Sequence, residues 1–380
     1  MIPLSLYVHF PWCVKKCPYC DFNSHTLRQD LPEATYIEAL FNDLRLDLER
    51  FSLNRPKIQS IFLGGGTPSL FSPQALAQLL SGLSQQLDFT EDIEITLEAN
   101  PGTVEQSRFV GYKAAGINRI SLGIQSFQPE KLTALGRIHS GAEATAAIQA
   151  AQRAGFDNIN VDLMYGLPDQ STTDALYDLK TAIACEIAHL SWYQLTLEPN
   201  TLFHHRPPDR LPSSDLLWDI QEAGLACLEQ AGFTPYEISA YTQRQAFRPS
   251  RHNLNYWQFG DYLGIGAGAH GKLTQQGSIW RYWKTRHPQD YLNPARSFMG
   301  EAKILAQEEI PFEFMLNHLR LYQPLAIELF QQRCGIQIEH IQPMLNAAKC
   351  KMLLDWDEQF IYTTELGKRH LNDLMGMFLV

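Results

Sequence analysis

No apolar run in this chain approaches the roughly 20 residues needed to cross a bilayer. The longest are short, such as Ile61–Leu63 and Met377–Val380. A transmembrane segment is therefore not expected, and peripheral association is the most a membrane would offer. The start, MIPLSLYVHFPWC, lacks a basic region ahead of an apolar stretch and lacks a small-residue cleavage site. A cytoplasmic protein is expected. Positive charge is also short, with 31 Lys and Arg against 41 Asp and Glu and a net charge of −10. General nucleic-acid binding needs basic surface to displace counterions, so nucleic acid is not an expected partner, although a local basic pocket stays open. Charged residues make up only 19% and hydrophobic residues 45%, which excludes disordered and coiled-coil composition. Seven cysteines, an odd number, in 380 residues exclude a disulfide framework in a reducing compartment. Low-complexity tracts and signature repeats are absent.

What is present is an alternation. Over the first 200 residues, runs rich in Ile, Val, Leu and aromatics recur at Leu4–His9, Ser60–Leu63, Ile93–Glu98, Arg119–Ile124, Asn158–Met164 and His189–Leu197. Amphipathic, helix-like stretches lie between them at Glu33–Phe51, Pro73–Leu87, Val104–Ala115, Ala142–Ala154 and Thr173–Cys185. After the first strand the spacing is about 26–39 residues, the range of βα units around a parallel sheet. Gly116 and Gly155 stand where C′ glycines end helices, and Ser72-Pro73 reads as an N-cap with Pro at N1. The fold class is α/β. Pattern alone leaves open a doubly wound sheet or a partial barrel.

The unusual residues fall at the C-terminal strand ends, the functional face of parallel α/β sheets. Cys13, Cys17 and Cys20 follow the first strand and Gly64–Pro68 the second. Glu98–Gly102 ends the third, Gln125 the fourth and Asp162–Pro168 the fifth. Beyond residue 205 the pattern changes. His204–Pro212 reads as a connector, Ser214–Ala231 as a helix, and 234–290 as aromatic and turn-rich. Residues 300–380 read as mainly helical, with a strand pair around Leu353–Trp356 and Phe360–Thr363, an order that resembles a winged helix. Seven basic and 11 acidic residues from 301 to 380 suit an interaction or lid role better than DNA binding. Three regions are expected: 1–205, 206–295 and 296–380.

Cys13, Cys17 and Cys20 have C-x-x-x-C-x-x-C spacing. Three thiolates from one loop can cap three corners of a [4Fe–4S] cluster and leave one iron open. A structural zinc site, usually closed by four ligands, would need His9 or His25 as the fourth. Cys185, Cys227, Cys334 and Cys350 have no partner at ligand spacing and read as small buried hydrophobes.

Tyr7-Val8-His9-Phe10-Pro11-Trp12-Cys13, the cysteine loop and Gly64-Gly65-Gly66-Thr67-Pro68 resemble the radical S-adenosylmethionine (radical SAM) superfamily. Ser121–Phe127, Leu135-Gly136-Arg137 and Val161–Pro168 resemble its oxygen-independent coproporphyrinogen III dehydrogenase branch, and the resemblance spans nearly the whole chain. It implies a partial (β/α)6 TIM-like barrel, with a [4Fe–4S] cluster on Cys13, Cys17 and Cys20 and S-adenosylmethionine on the open iron. The same resemblance implies that Gly65, Gly66 and Thr67 meet the methionine moiety, where absent side chains let backbone approach closely. It gives Arg137 the methionine carboxylate, a task for a planar guanidinium. Glu98, Gln125 and Asp162 match positions at the amino-acid and ribose ends. Tyr7 and Tyr19 match positions flanking the cofactor.

Two features depart from the dehydrogenases. Phe22 stands where they carry a further cysteine, and the arm ahead of the first strand is short. Asp21-Phe22-Asn23-Ser24 and His252-Asn253-Leu254-Asn255-Tyr256-Trp257 (H-N-x-x-Y-W) instead resemble the HemW-type heme chaperone subgroup. A neutral imidazole suits heme iron, Tyr256 and Trp257 offer flat apolar area, and Arg248 and Arg251 could pair with propionates. His252 is the candidate ligand. His204, His205 and His270 are rivals, and a capped turn with core aromatics is the plain alternative. Gly266–Gly271 fits G-x-G-x-x-G, but Lys272–Gly277 reads as a turn before a strand at Ser278–Trp283. A dinucleotide fingerprint needs a helix there, so nicotinamide binding is not expected.

The resemblance thus implies a protein that binds heme, the cluster and S-adenosylmethionine and passes heme to an acceptor protein, respiratory-chain proteins among them. A homodimer is compatible with the subgroup. The alternative is a radical SAM enzyme acting on a porphyrinogen. The same rim serves both, so catalytic turnover is left open.

Overall fold

The computed structural model describes residues 2–379, the side chain of Thr103 apart. All six expected strands form: β1 Leu4–Phe10, β2 Lys57–Gly65, β3 Asp88–Ala99, β4 Arg119–Gln125, β5 Ile159–Tyr165 and β6 His189–Gln194. They pair in parallel and in sequence order. That unbroken order, with no reversal of the doubly wound kind, resolves the open choice in favour of the partial (β/α)6 barrel.

The alternation along each strand explains the layering. One face of the strands, including Leu6, Val8, Ile61 and Leu63, shares a core with Ile37, Leu40, Leu76 and Leu79 of the helices Glu33–Arg50 (α1) and Pro73–Gln86 (α2). Each such side chain contributes roughly 1.5–3 kcal/mol on burial. The opposite face carries polar groups: Ser5, Ser60, Glu94, Arg119, Asn160 and His189 are all buried. Ser60 Oγ donates to Ser5 Oγ (2.7 Å), Asn160 Nδ2 to Ser121 Oγ (2.7 Å), and His189 Nδ1 lies 2.6 Å from Asn160 Oδ1. The lumen is thus a hydrogen-bonded polar interior. The helix signals hold: Gly116 and Gly155 have φ of +102° and +87°, and Ser72 Oγ accepts from Ala75 N at 3.2 Å.

Extensions on both edges enlarge the sheet to 12 strands. Beyond β6 run the antiparallel pair β7 Phe233–Glu237 and β8 Ala240–Gln243. On the far side of β1 lies β9 Asp261–Ile265, a further parallel strand, followed by β10 His270–Gln275, β11 Ser278–Lys284 and β12 Met299–Ile304. The turn expected at Lys272–Gly277 is corrected: only Gln276 and Gly277, with φ of +50° and +78°, make it. Lys272 belongs to β10 because its fully buried ammonium is satisfied by Asp261 (2.8 Å) and the Phe259 carbonyl (3.0 Å). No helix follows the glycine-rich segment.

The last region packs the helices Glu309–His318, Ile327–Cys334 and Gln342–Cys350 around Phe314, Phe330 and Leu345. Leu354–Trp356 and Phe360–Thr363 form the expected ribbon, and Leu325–Ala326 adds a third antiparallel strand. This core takes in Phe259 and Ile279 from the sheet extension. Of the four scattered cysteines only Cys334 is buried; Cys185 and Cys227 are partly exposed and Cys350 is exposed. Among the described residues no helix is long and apolar enough to cross a membrane.

Candidate functional site

The C-terminal strand ends converge on a cleft of about 590 Å³. Cys13, Cys17, Cys20 and Tyr19 line one side, and Gly65, Gly66, Thr67, Glu98, Gln125, Arg137 and Asp162 the floor. The glycine turn is forced by the protein itself. Gly65 has φ of +109°. A Cβ on Gly65 would lie 2.4 Å from the His9 ring, and one on Gly66 would lie 2.6 and 2.7 Å from the carbonyl oxygens of Trp12 and Phe10. The amides of Gly66 and Thr67 donate to those same carbonyls, each at 2.7 Å. These glycines therefore seat the end of β2 against His9, Phe10 and Trp12, the stretch that leads into the cysteine loop.

Each thiol has a polar neighbour. Thr67 Oγ1 donates to Cys13 Sγ (3.3 Å), Arg137 Nη1 donates to Cys17 Sγ (3.6 Å), and Cys20 Sγ lies 3.8 Å from Ser24 Oγ. Burial pushes the Cys13 and Cys20 thiols up, and a metal partner would favour their thiolate form. Among the described residues no three His, Cys, Asp or Glu groups converge as a single metal ion requires. Both nitrogens of His9, one candidate fourth zinc ligand, are engaged, by Tyr7 Oη (3.0 Å) and the Asn23 carbonyl (2.9 Å). Three sulfurs spread along one loop and open to a cleft fit a cluster with one free iron better than tetrahedral zinc.

The floor is anionic. Glu98 Oε2 accepts from Gly65 N (3.0 Å), and Asp162 accepts from Asn160 Nδ2 (2.7 Å) and Ser121 Oγ (3.1 Å). Among the described residues neither carboxylate has an ion-pair partner. Burial, then the nearby Asp162, pushes Glu98 up to about 7. Burial raises Asp162 as well. Such a floor favours a bound cation, and S-adenosylmethionine carries a sulfonium and an ammonium. Arg137 Nη2 donates to Asn100 Oδ1 (2.8 Å) and the Gly123 carbonyl (2.5 Å), while its buried Nε has no partner. Gln125 has φ of +71°, a strained conformation for a non-glycine residue, and its Oε1 accepts from Tyr193 Oη (2.9 Å). Asn100 and Tyr193 were not singled out from sequence; their place at strand ends beside Glu98 and after Ser191 was the available signal. Tyr7 does not line the cleft: it sits deeper in the lumen, beside Phe62 and His252.

His252 also lies in the lumen. The helix Arg251–Trp257 begins where Glu94 Oε1 accepts from Arg251 N (2.9 Å) and His252 N (3.3 Å). The imidazole Nδ1 is 3.3 Å from Ser60 Oγ, and the ring lies 5.0 Å from Phe62 and 6.3 Å from Tyr7. Ser60 is four residues below Gly64, about 13 Å along β2 at roughly 3.3 Å per residue. Burial pushes the imidazole down to about 3, so it is neutral. Arg248 and Arg251, read from sequence as propionate partners, are instead paired with Asp157 (2.7 Å) and Asp92 (2.6 Å). Both acids precede the strand midpoints, toward the face opposite the cysteines. His204 and His205 are exposed on the short helix Leu202–His205, and His270 is exposed and stacks on Trp283. None of these histidines lines the cleft.

From the same helix, Asn253 and Trp257 do reach the cleft, where they meet Glu237, Ile238 and Arg320. Phe22, 56% exposed, lines the same cleft from the cysteine loop. Sequence reading missed Glu237 and Arg320 because no local spacing connects them to any motif.

The pattern of the radical SAM superfamily matches residues 7–181. The chain is 50% identical over 380 residues to the heme chaperone HemW of Haemophilus influenzae, covering 99% of this chain and 98% of that protein. It is 49% identical over 378 residues to the heme chaperone HemW of Escherichia coli, with the same coverage of 99% and 98%. Among solved structures it is similar to coproporphyrinogen III oxidase (HemN) from Escherichia coli, a radical SAM enzyme, with a TM-score of 0.83 at 23% identity over 99% of this chain and 90% of that one. At that identity the likeness is one of fold.

Proposed function

The chain belongs to the HemW heme chaperone family of the radical SAM superfamily, and from that premise we propose that it binds a [4Fe–4S] cluster and S-adenosylmethionine at the barrel mouth, holds heme, and passes the heme to an acceptor protein. Heme-accepting proteins, those of the respiratory chain included, are its partners on this reading. The observation that carries it is the opening of Cys13, Cys17 and Cys20 into the same cleft as Glu98, Asp162 and Arg137. When bound, the cluster supplies an open iron for the amino-acid end of S-adenosylmethionine and an electron source. The residues of the chain do the rest. Thr67, Arg137 and Ser24 steady the sulfurs, the glycine turn fixes the loop, and the carboxylate floor attracts the cationic cofactor.

The porphyrinogen-oxidising alternative is not favoured. Phe22 projects at the cleft with more than half its surface exposed, where the dehydrogenases carry a cysteine. The test is anaerobic reconstitution followed by transfer. Reconstituted protein should contain about four iron and four sulfide per chain, and Cys13→Ser, Cys17→Ser or Cys20→Ser should lose them. Loaded with heme, it should deliver that heme to an apo-heme protein and should form no decarboxylated product from coproporphyrinogen III. A colourless protein holding zinc, or substrate-dependent 5′-deoxyadenosine with decarboxylated product, would contradict the reading.

A further inference from the structure

We propose, on the heme-binding reading above, that the porphyrin lies against the second wall of the cleft, over Trp257 and Ile238, and that Arg320 takes one of its propionates with Glu237 as the neighbouring polar contact. The wall is separate from the anionic floor and chemically unlike it. Arg320 faces the cleft with its guanidinium 5.0 Å over the Trp257 ring. Among the described residues its side chain makes neither an ion pair nor a hydrogen bond. Arg137, the other guanidinium in the cleft, is already held by Asn100 and Gly123. Arg320 is thus a half-buried cation with a free planar fork, the group that binds carboxylate in bidentate fashion.

A buried acid stands beside the guanidinium. Glu237 is only 5% exposed, lines the cleft and has no ion-pair partner among the described residues. Burial pushes it up to about 7, so it is half protonated near neutral pH and able to donate to a carboxylate. The wall is also pre-arranged. Glu237 bridges to Leu321, Ile238 N donates to the Arg320 carbonyl (2.9 Å) and Tyr322 N to the Tyr236 carbonyl (3.1 Å). The backbone segments that carry the acid and the guanidinium are therefore fixed to each other before the ligand arrives, which limits the ordering cost of binding. A flat aromatic surface, a free guanidinium and an acid raised toward neutral pH together fit an amphipathic tetrapyrrole bearing carboxylates.

The test compares heme with its dimethyl ester, whose propionates are blocked, on cluster-loaded full-length protein, read by visible absorption. Wild type should bind the ester roughly ten- to a hundredfold more weakly than heme, the range of a charged hydrogen bond. Arg320→Gln should weaken heme by a similar factor and bring heme and ester to the same affinity. Arg320→Lys, which keeps the charge and most of the bulk, should recover part of the difference, and Arg248→Gln should change nothing. Iron and sulfide content report folding of each variant, and the ester comparison on wild type needs no variant. Equal binding of heme and ester by wild type, or an Arg320→Gln protein that keeps full heme affinity and discrimination, would overturn the proposal while leaving heme binding intact. Failure of wild type to bind heme at all would overturn the functional reading with it.

Discussion

Glu98 ties the cofactor reading to a pH-dependent quantity. Its carboxyl is held at about 7 by burial and by Asp162, while in the unfolded chain it ionises near its ordinary value of 4.5. A carboxyl raised on folding contributes stability that is whole below 4.5 and is lost as the pH climbs through about 7. A cation in the cleft reverses that loss, because it favours the ionised form. S-adenosylmethionine should therefore raise the melting temperature more at pH 8 than at pH 6, and Glu98→Gln should flatten the difference. Thermal melts with and without the cofactor at both pH values check this, and equal shifts in wild type would contradict it. At this scale the sequence was informative where function is written in local spacing. Cys13, Cys17 and Cys20 on one loop and the glycines of one turn are legible as strings. Arg320 and Glu237 are not, since they meet only through the bridge between residues 237 and 321.

The helix Arg251–Trp257 shows how an element can carry a motif to two places at once. Its H-N-x-x-Y-W spacing sends His252 into the lumen and Trp257 to the cleft, while Asn255 Nδ2 ties down the Asp261 carbonyl (2.9 Å). Sequence shows the motif; which side chain faces the cleft depends on the docking of the helix, and Glu94 sets that. Its Oε1 takes the amides of Arg251 and His252, and Ser250 Oγ lies 3.5 Å away. Glu94→Gln should cost roughly 1–3 kcal/mol in urea unfolding and weaken heme binding while iron and sulfide stay unchanged. Unaltered stability and heme affinity would show that the helix is held by other means. The six βα units were readable because apolar alternation and caps agree along the chain. β9 and β10 were not, because β9 is five buried residues in a turn-rich stretch and the buried Lys272 looks polar until Asp261 is seen beside it.

Over the whole molecule, the barrel and its extension are joined by a buried charge network. Lys284 of β11 donates to Asp43 and Asp47 of α1, both at 2.6 Å, and Tyr291 Oη donates to Asp43 at 2.7 Å. Removing the cation leaves two buried carboxylates without an ion-pair partner, so Lys284→Met should destabilise the protein by about 3–5 kcal/mol. Breaking the exposed Arg45–Glu49 pair should cost no more than about 1 kcal/mol. Chemical unfolding of the two variants side by side checks the contrast, and equal losses would contradict it. This network spans more than 200 positions and has no sequence signature, whereas the sequential strand order that makes the barrel was half visible as even spacing. The account as a whole rests on heme binding by a chain whose cluster is in place. The direct measurement is a heme titration of anaerobically reconstituted wild-type protein, with iron and sulfide assayed in the same samples. The account predicts saturation near one heme per chain, with a shifted Soret band that survives gel filtration. An intact cluster with no heme bound at micromolar concentration would contradict it.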